Sequence, residues 1–280
     1  MSTVTISASE INKLRQATGA GMMDCRKALT ETNGDFEAAI DCLRKQGQKV
    51  AAKRSDREAK EGAIIAKTTD DHKTGIIVCV SCETDFVSKN ADFVAFAQSI
   101  ADAALNNNVR SLDELNAAKV GNSTVADLVN DKLASIGEKI GVTKFERVDA
   151  PYVASYIHGA NRMGVLVGLN KEAADAGKDV AMQIAAMNPV AVDAESVPAE
   201  TIERERNIAI EQMKQDPKMA GKTDDMLGKI AQGKLNAFFK EQTLLAQTFV
   251  KGEGNESVAD FLKKTDKDFK VVEFKRVALG

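Results

Sequence analysis

The side chains with the most reactive chemistry are four cysteines and two histidines. Cys79-Val-Ser-Cys82 has the spacing of a redox pair or of half a zinc site. It closes the apolar run Gly75-Ile-Ile-Val-Cys-Val80, which reads as a β-strand. Residues three apart on a strand face opposite ways, so the two thiols share neither a metal nor a disulfide unless the strand ends between them. There is no second CxxC, and Cys25 and Cys42 belong to a separate helical segment. His72 lies in Asp70-Asp-His-Lys-Thr74, between two strands, where a solvated turn residue is expected. His158 occupies the corresponding turn of a related segment, Ile157-His-Gly-Ala-Asn161. No Ser or Cys nucleophile motif accompanies either histidine. Thr18-Gly-Ala-Gly-Met-Met23 is glycine-rich, but it neither follows a strand nor ends in Lys-Ser/Thr, so it is not read as a phosphate loop. The expectation is a protein without catalytic residues, resident metal or cofactor, whose function is binding.

Two stretches suit binding. Paired Met22 and Met23 at a helix start are adaptable partner contacts, although one of them is expected to face the local core. Cys82-Glu-Thr-Asp-Phe-Val-Ser-Lys-Asn90 connects the strand to the helix that begins near Ala91, and sets an aromatic beside a carboxylate. Phe86 stands seven residues before Phe93, whose stripe continues through Phe96, Ala97 and Ile100. A helix that started early would carry Phe86 into the core; otherwise Phe86 projects from the junction.

The elements around these residues are legible. Ser7-Ala-Ser-Glu10 is a capping-box spacing before the first helix. Thr18 to Gly21 breaks that helix, Met22 to Thr32 forms a second, and Asp35 caps a third over Phe36 to Gln46. A lysine-rich connector, Gly47 to Lys60, follows. Beyond it lies a diverged duplication. Gly75-Ile-Ile-Val-Cys-Val80 matches Gly164-Val-Leu-Val-Gly-Leu169, and Ala63 to Lys67 lies 89 positions before Tyr152 to Tyr156. Val125-Ala-Asp-Leu128 matches Val258-Ala-Asp-Phe261, and Phe145-Glu-Arg-Val148 matches Phe274-Lys-Arg-Val277. Each copy reads as β-β-α-α-β, three antiparallel strands with helices on one face. The second copy is longer by 46 residues, within roughly Asn188 to Ala246. Its extra length reads as an antiparallel helical hairpin around Gln215-Asp-Pro217, with stripes Ile202, Arg206, Ala209, Met213 and Met226, Ile230, Leu235, Phe238/Phe239. The two helices either satisfy each other or meet a partner, a homodimer contact included.

A net charge of −3, with 44% apolar and 28% charged residues, is an ordinary globular balance without a polyanion bias. Lys49-Val-Ala-Ala-Lys-Arg-Ser-Asp-Arg57 is basic but reads as a solvated linker helix, so no direct nucleic-acid contact is expected. No apolar run approaches the roughly twenty residues of a membrane span, and the N-terminus has no secretory pattern. The expected setting is cytoplasmic, with reduced thiols.

Leu14-Arg-Gln-Ala-Thr-Gly-Ala-Gly-Met-Met-Asp-Cys-Arg-Lys-Ala-Leu29, followed by Asn33-Gly-Asp35, closely resembles the opening of the bacterial translation elongation factor Ts family. Cys82 to Lys89 looks like that family's second signature, and Tyr156-Ile-His-Gly159 with Gly164-Val-Leu-Val167 is similar to a third. The resemblance implies a guanine-nucleotide exchange factor for the GTPase elongation factor Tu. It implies an α+β fold: a ubiquitin-associated-type three-helix bundle at 1–55, a first core subdomain at 56–149, and a second at 150–280 interrupted by the hairpin at about 190–246. It assigns Thr84, Asp85, Phe86 and Val87 to dislodging the magnesium ion beside the GTPase's nucleotide. Arg15, Met22, Met23 and His158 match other contact positions. Some members continue past the last core strand into a further helical module. This sequence runs to Val277-Ala-Leu-Gly280, so the contact that module makes with another domain of the GTPase is expected to be absent or made by another surface.

Overall fold

The computed structural model describes residues 6–54, 56–216, 219 and 222–280. Ser55 of the connector and Pro217 of the expected hairpin turn lie outside these residues, as does the N-terminal pentapeptide.

Helices α1 (Ala8–Thr18), α2 (Met22–Glu31) and α3 (Phe36–Lys53) form the first unit. Ser7 caps α1 in a reciprocal capping box with Glu10, and Gly19 ends it at φ 69°. Leu14, Cys25, Ala28, Leu29, Ala39 and Leu43 are buried between the three helices. The expected connector is not wholly irregular, because α3 continues through its first half to Lys53. The reason is a surface to lie on. At Gly47, α3 comes so close to a core helix that a Cβ there would stand 2.8 Å from the Ala134 Cβ.

Two three-stranded antiparallel sheets follow. The first orders β1 (Glu61–Thr68), β2 (Thr74–Cys82) and β5 (Gly141–Asp149). Between β2 and β5 lie α4 (Asp85–Ser88), α5 (Ala91–Asn106), α6 (Leu112–Ala117), the two-residue strands β3 (Lys119–Val120) and β4 (Ser123–Thr124), and α7 (Val125–Ile136). The second sheet orders β6 (Tyr152–His158), β7 (Met163–Leu169) and β8 (Val271–Ala278). Between β7 and β8 lie α8 (Ala174–Met187), α9 (Ala199–Gln215), α10 (Asp224–Gln242) and α11 (Val258–Thr265). The α+β class and the duplicated β-β-α-α-β order are those expected from the sequence.

Each sheet is covered by helices on one face. Phe93, Ala97, Ile100 and Ala104 of α5, with Val125, Val129 and Leu133 of α7, bury Ala63, Ile65, Ile76, Val78 and Val80. Val180, Ala181 and Ile184 of α8 cover Ala154, Val165, Val167 and Leu169. The other faces, for which no partner was expected, pack on each other: Ile64, Ile77, Cys79 and Val148 meet Val153, Leu166 and Val277. This explains why β2 and β7 are apolar at consecutive positions rather than alternate ones. It also explains the matched glycines. A Cβ on Gly75 would meet Val153 Cγ1 at 2.7 Å, and one on Gly164 would meet Ile64 Cγ2 at 2.9 Å. His72 is exposed in the turn between β1 and β2, as expected, but it also touches the second copy. It adopts φ 54°, and its ring stacks on Tyr152 of the second copy at 5.0 Å.

The inserted helices α9 and α10 satisfy each other through Ala209, Met213, Leu227 and Ala231. On α10 the predicted Leu235 is buried and Ile230 packs on this cluster, but the first position of the predicted stripe is off by one. Met226 is exposed and Leu227 is buried, while Arg206 of α9 faces solvent. Buried Gln183 on α8 ties the returning chain down. Its Nε2 donates to Gln247 Oε1 and to the Thr248 carbonyl, and its Oε1 accepts from the Val250 N–H at 2.8 Å.

Candidate functional site

Thr84 to Val87 sits where β2 leaves the sheet. The first core helix does not begin early. Thr84 opens a single turn, α4, and Asn90 then caps a fresh start, its side chain accepting the Asp92 N–H at 2.8 Å. Within that turn Ser88 is buried and Val87 packs against the first core. A four-residue turn that sends Val87 and Ser88 inward must send Phe86 outward. Phe86 is 86% exposed, the largest value among the exposed large apolar side chains described. Its neighbour Asp85 accepts from Lys89 Nζ at 2.7 Å, which holds its carboxyl below the usual range. That pair is solvent-exposed and yields readily to a competitor.

The turn is held from below by two carboxylates in a reciprocal arrangement. Glu138, just past α7, accepts the N–H groups of Glu83 and Thr84 at 3.2 and 3.1 Å, and the Thr84 hydroxyl at 2.7 Å. Glu83 in turn accepts the Lys139 N–H at 2.6 Å and the guanidinium groups of Arg54 and Arg57 at 2.9 Å each. The Lys139 N–H first, and the two guanidinium groups next, pull the Glu83 carboxyl down to about 2. Arg54 and Arg57 come from the segment after α3, so the same carboxylate ties the N-terminal unit to the junction. Sequence reasoning gives Glu83 no role and misses Glu138. Neither residue type nor spacing flags a carboxylate whose donors are backbone groups 54 positions away.

The other predicted residues gather towards the same end. Ser135, near the end of α7 and shortly before Glu138, donates to the Gly19 carbonyl. That fixes the α1–α2 turn, with Arg15 exposed before it and Met22 and Met23 after it. Neither methionine faces the bundle as expected: they are 54% and 71% exposed. Ala20 in the preceding turn is buried with Leu14, Cys25 and Leu29 and closes the bundle there, so the first turn of α2 stands clear. His158 is exposed beside the β6–β7 turn, its Nδ1 3.0 Å from the Tyr156 hydroxyl. Arg162 of that turn pairs with Glu61 at 2.8 Å, and Glu61 is the β1 partner of Cys82.

Cys79 and Cys82 point to opposite faces, Cys79 between the sheets and Cys82 beneath the helices. Burial pushes the Cys82 thiol up to about 12, away from nucleophile or ligand chemistry. Among the described residues no group of three or more His, Cys, Asp or Glu side chains could hold a metal ion. No helix described is long and apolar enough to cross a membrane.

The fold is an α+β scaffold that displays an aromatic and paired methionines on its turns. The family model for elongation factor TS matches residues 83–280. Elongation factor Ts from Christiangramia forsetii is 49% identical over 98% of this chain and 99% of its own. Those from Flavobacterium psychrophilum and Cytophaga hutchinsonii are each 45% identical over 99% of both chains. The chain belongs to the elongation factor Ts family, and so to the translation elongation factors.

Proposed function

We propose that this chain is a guanine-nucleotide exchange factor for the GTPase elongation factor Tu, and that Thr84 to Val87 is the segment that disturbs the GTPase's magnesium and phosphate site. The observation that carries the proposal is Phe86, an aromatic 86% exposed on a turn braced by two carboxylates. Exposing so much apolar surface brings nothing to folding of the free chain; burial in a partner recovers it.

The physics is reciprocal coupling. A partner that prefers the nucleotide-free GTPase weakens nucleotide binding by the same factor by which nucleotide weakens the partner. A magnesium ion neutralises phosphate charge, so displacing the groups around it is an efficient lever. In this scheme Phe86 enters between elements of the GTPase as an apolar wedge. Asp85 leaves Lys89 to accept a hydrogen bond there or to compete with phosphate, Thr84 ties the start of the turn to Glu138, and Val87 anchors it to the core. Arg15, Met22 and Met23 dock the helical bundle on the nucleotide-binding domain, and His158 adds a polar contact at the same interface. The chain supplies binding energy and no bond chemistry of its own.

Release of labelled GDP from elongation factor Tu, with and without this chain, is the test. The chain accelerates release, and Asp85→Ala with Phe86→Ala slows the stimulated rate by about thirtyfold, the loss typical of a truncated aromatic anchor. An unchanged rate in that double variant would refute the assignment.

A further inference from the structure

We infer that Glu138 is a positioning residue for the docking turn: its carboxylate, reciprocated by Glu83, fixes the direction in which Phe86 projects. The inference rests on the exchange reading above and goes beyond it, because Glu138 lies outside the displayed segment.

The geometry is specific. A turn of four residues has little to hold it; α4 closes through the Ser88 and Lys89 N–H groups on the Thr84 and Asp85 carbonyls. The N–H groups of Glu83 and Thr84 at its start have no helical partner of their own. Glu138 takes both on one carboxylate oxygen and the Thr84 hydroxyl on the other, three charge-assisted bonds from one side chain. The bonds fix the backbone on the N-terminal side of Phe86, while Val87 and Ser88 fix it on the other side. Glu138 is itself held, because the next residue donates its N–H to Glu83. The two carboxylates therefore close a ring across the β2–α4 and α7–β5 connections, and neither connection moves without the other. Glu83 also carries Arg54 and Arg57, so the brace is shared with the segment that leaves the N-terminal bundle. A wedge of this kind depends on its set angle, since misplacing a functional group by about an ångström can cost orders of magnitude in rate.

The full-length chain tests this with four variants: Glu138→Ala, Glu138→Gln, Phe86→Ala, and Glu138→Ala combined with Phe86→Ala. Amide hydrogen exchange at Glu83 and Thr84 reads the brace without any partner. GDP release from elongation factor Tu reads its consequence. In Glu138→Ala both amides lose protection and stimulated release slows about tenfold. Glu138→Gln, whose amide oxygen still accepts both N–H groups, stays within about twofold of the parent rate. In the Phe86→Ala background, Glu138→Ala causes no further slowing, because it acts through Phe86. Loss of amide protection with an unchanged release rate overturns the inference, as does slowing that adds to that of Phe86→Ala. If Phe86→Ala alone leaves stimulated release unchanged, the wedge role of Phe86 fails, and the inference fails with it whatever the amides show. Should Glu138→Ala not fold, Thr84→Val removes only the hydroxyl arm. Slowed release by that variant at the parent melting temperature then supports the inference, and an unchanged rate overturns it.

Discussion

The two strand-to-helix junctions of the duplicated core do the same structural job in different ways. In the second copy, the chain leaves β7 and enters α8 directly. Ala176 and Gly177 are buried within its first turn, and Gly177 lies so close to the sheet that a Cβ would stand 2.8 Å from the Ala154 Cβ. In the first copy, the chain spends an additional turn, α4, before Asn90 caps α5. Both junctions are tied to the loop that precedes the last strand of their sheet. Asn170 donates to the Asp268 carbonyl at 2.7 Å and accepts the Lys270 N–H at 2.8 Å, whereas Glu83 and Glu138 do this with charge. The tie is therefore part of the fold. The extra turn is not, and it is the turn that frees Phe86 from packing.

That contrast can be broken experimentally, most severely at Phe93 and Phe86 of the first copy. Phe93, fully buried on the inner face of α5, should cost about 3–5 kcal/mol when replaced by Ala, measured by denaturant unfolding. Phe86→Ala should leave stability within about 0.5 kcal/mol of the parent while slowing stimulated GDP release. A large loss of stability at Phe86 would mean that the extra turn is structural after all.

The neutral tie of the second copy comes next. Asn170→Ala should destabilise by about 1–2 kcal/mol, by losing two hydrogen bonds to backbone groups. It should not slow exchange beyond that loss of folded protein. A specific exchange defect at Asn170 would erase the difference drawn between the copies.

The smallest effect is one of pH. The Glu83 carboxyl is held down at about 2 in the folded chain, against 4.5 as an ordinary glutamate. A depressed carboxylate stabilises above its unfolded value, and that contribution is lost as pH falls through the folded value. The melting temperatures of the parent and of Glu83→Gln should therefore differ at pH 7 and converge as pH falls from about 4.5 to about 2. The difference between the parent and Asn170→Ala, which involves no charge, should not change over the same range. Parallel curves for Glu83→Gln would mean that charge does not hold the first junction.

Much of this is legible in the chain. Capping boxes, glycine stops and the spacing of the duplicated segments place the helices and both hairpins, because these signals are local. The motif around Asp85 and Phe86 is visible as an aromatic–carboxylate pair in a connection. Its display is not decided there, since Phe86 is also in phase with the stripe of Phe93. The first position of the α10 stripe falls one residue off at Met226 for a similar reason: Met226 and Leu227 are neighbours of nearly equal apolarity.

The sequence by itself determined the order of elements, the duplication and the family signatures, all of which are written in neighbouring residues or in repeats of them. The tertiary structure alone decided that the two sheets share a core, which makes Gly75 and Gly164 receiving positions for the other copy's aliphatic side chains. It also decided that Ala20 leaves Met22 and Met23 exposed, and that Glu138 and Glu83 brace the turn carrying Phe86. Each of those outcomes depends on atoms brought together from distant parts of the chain, where steric fit and hydrogen-bond satisfaction act and sequence periodicity has no say.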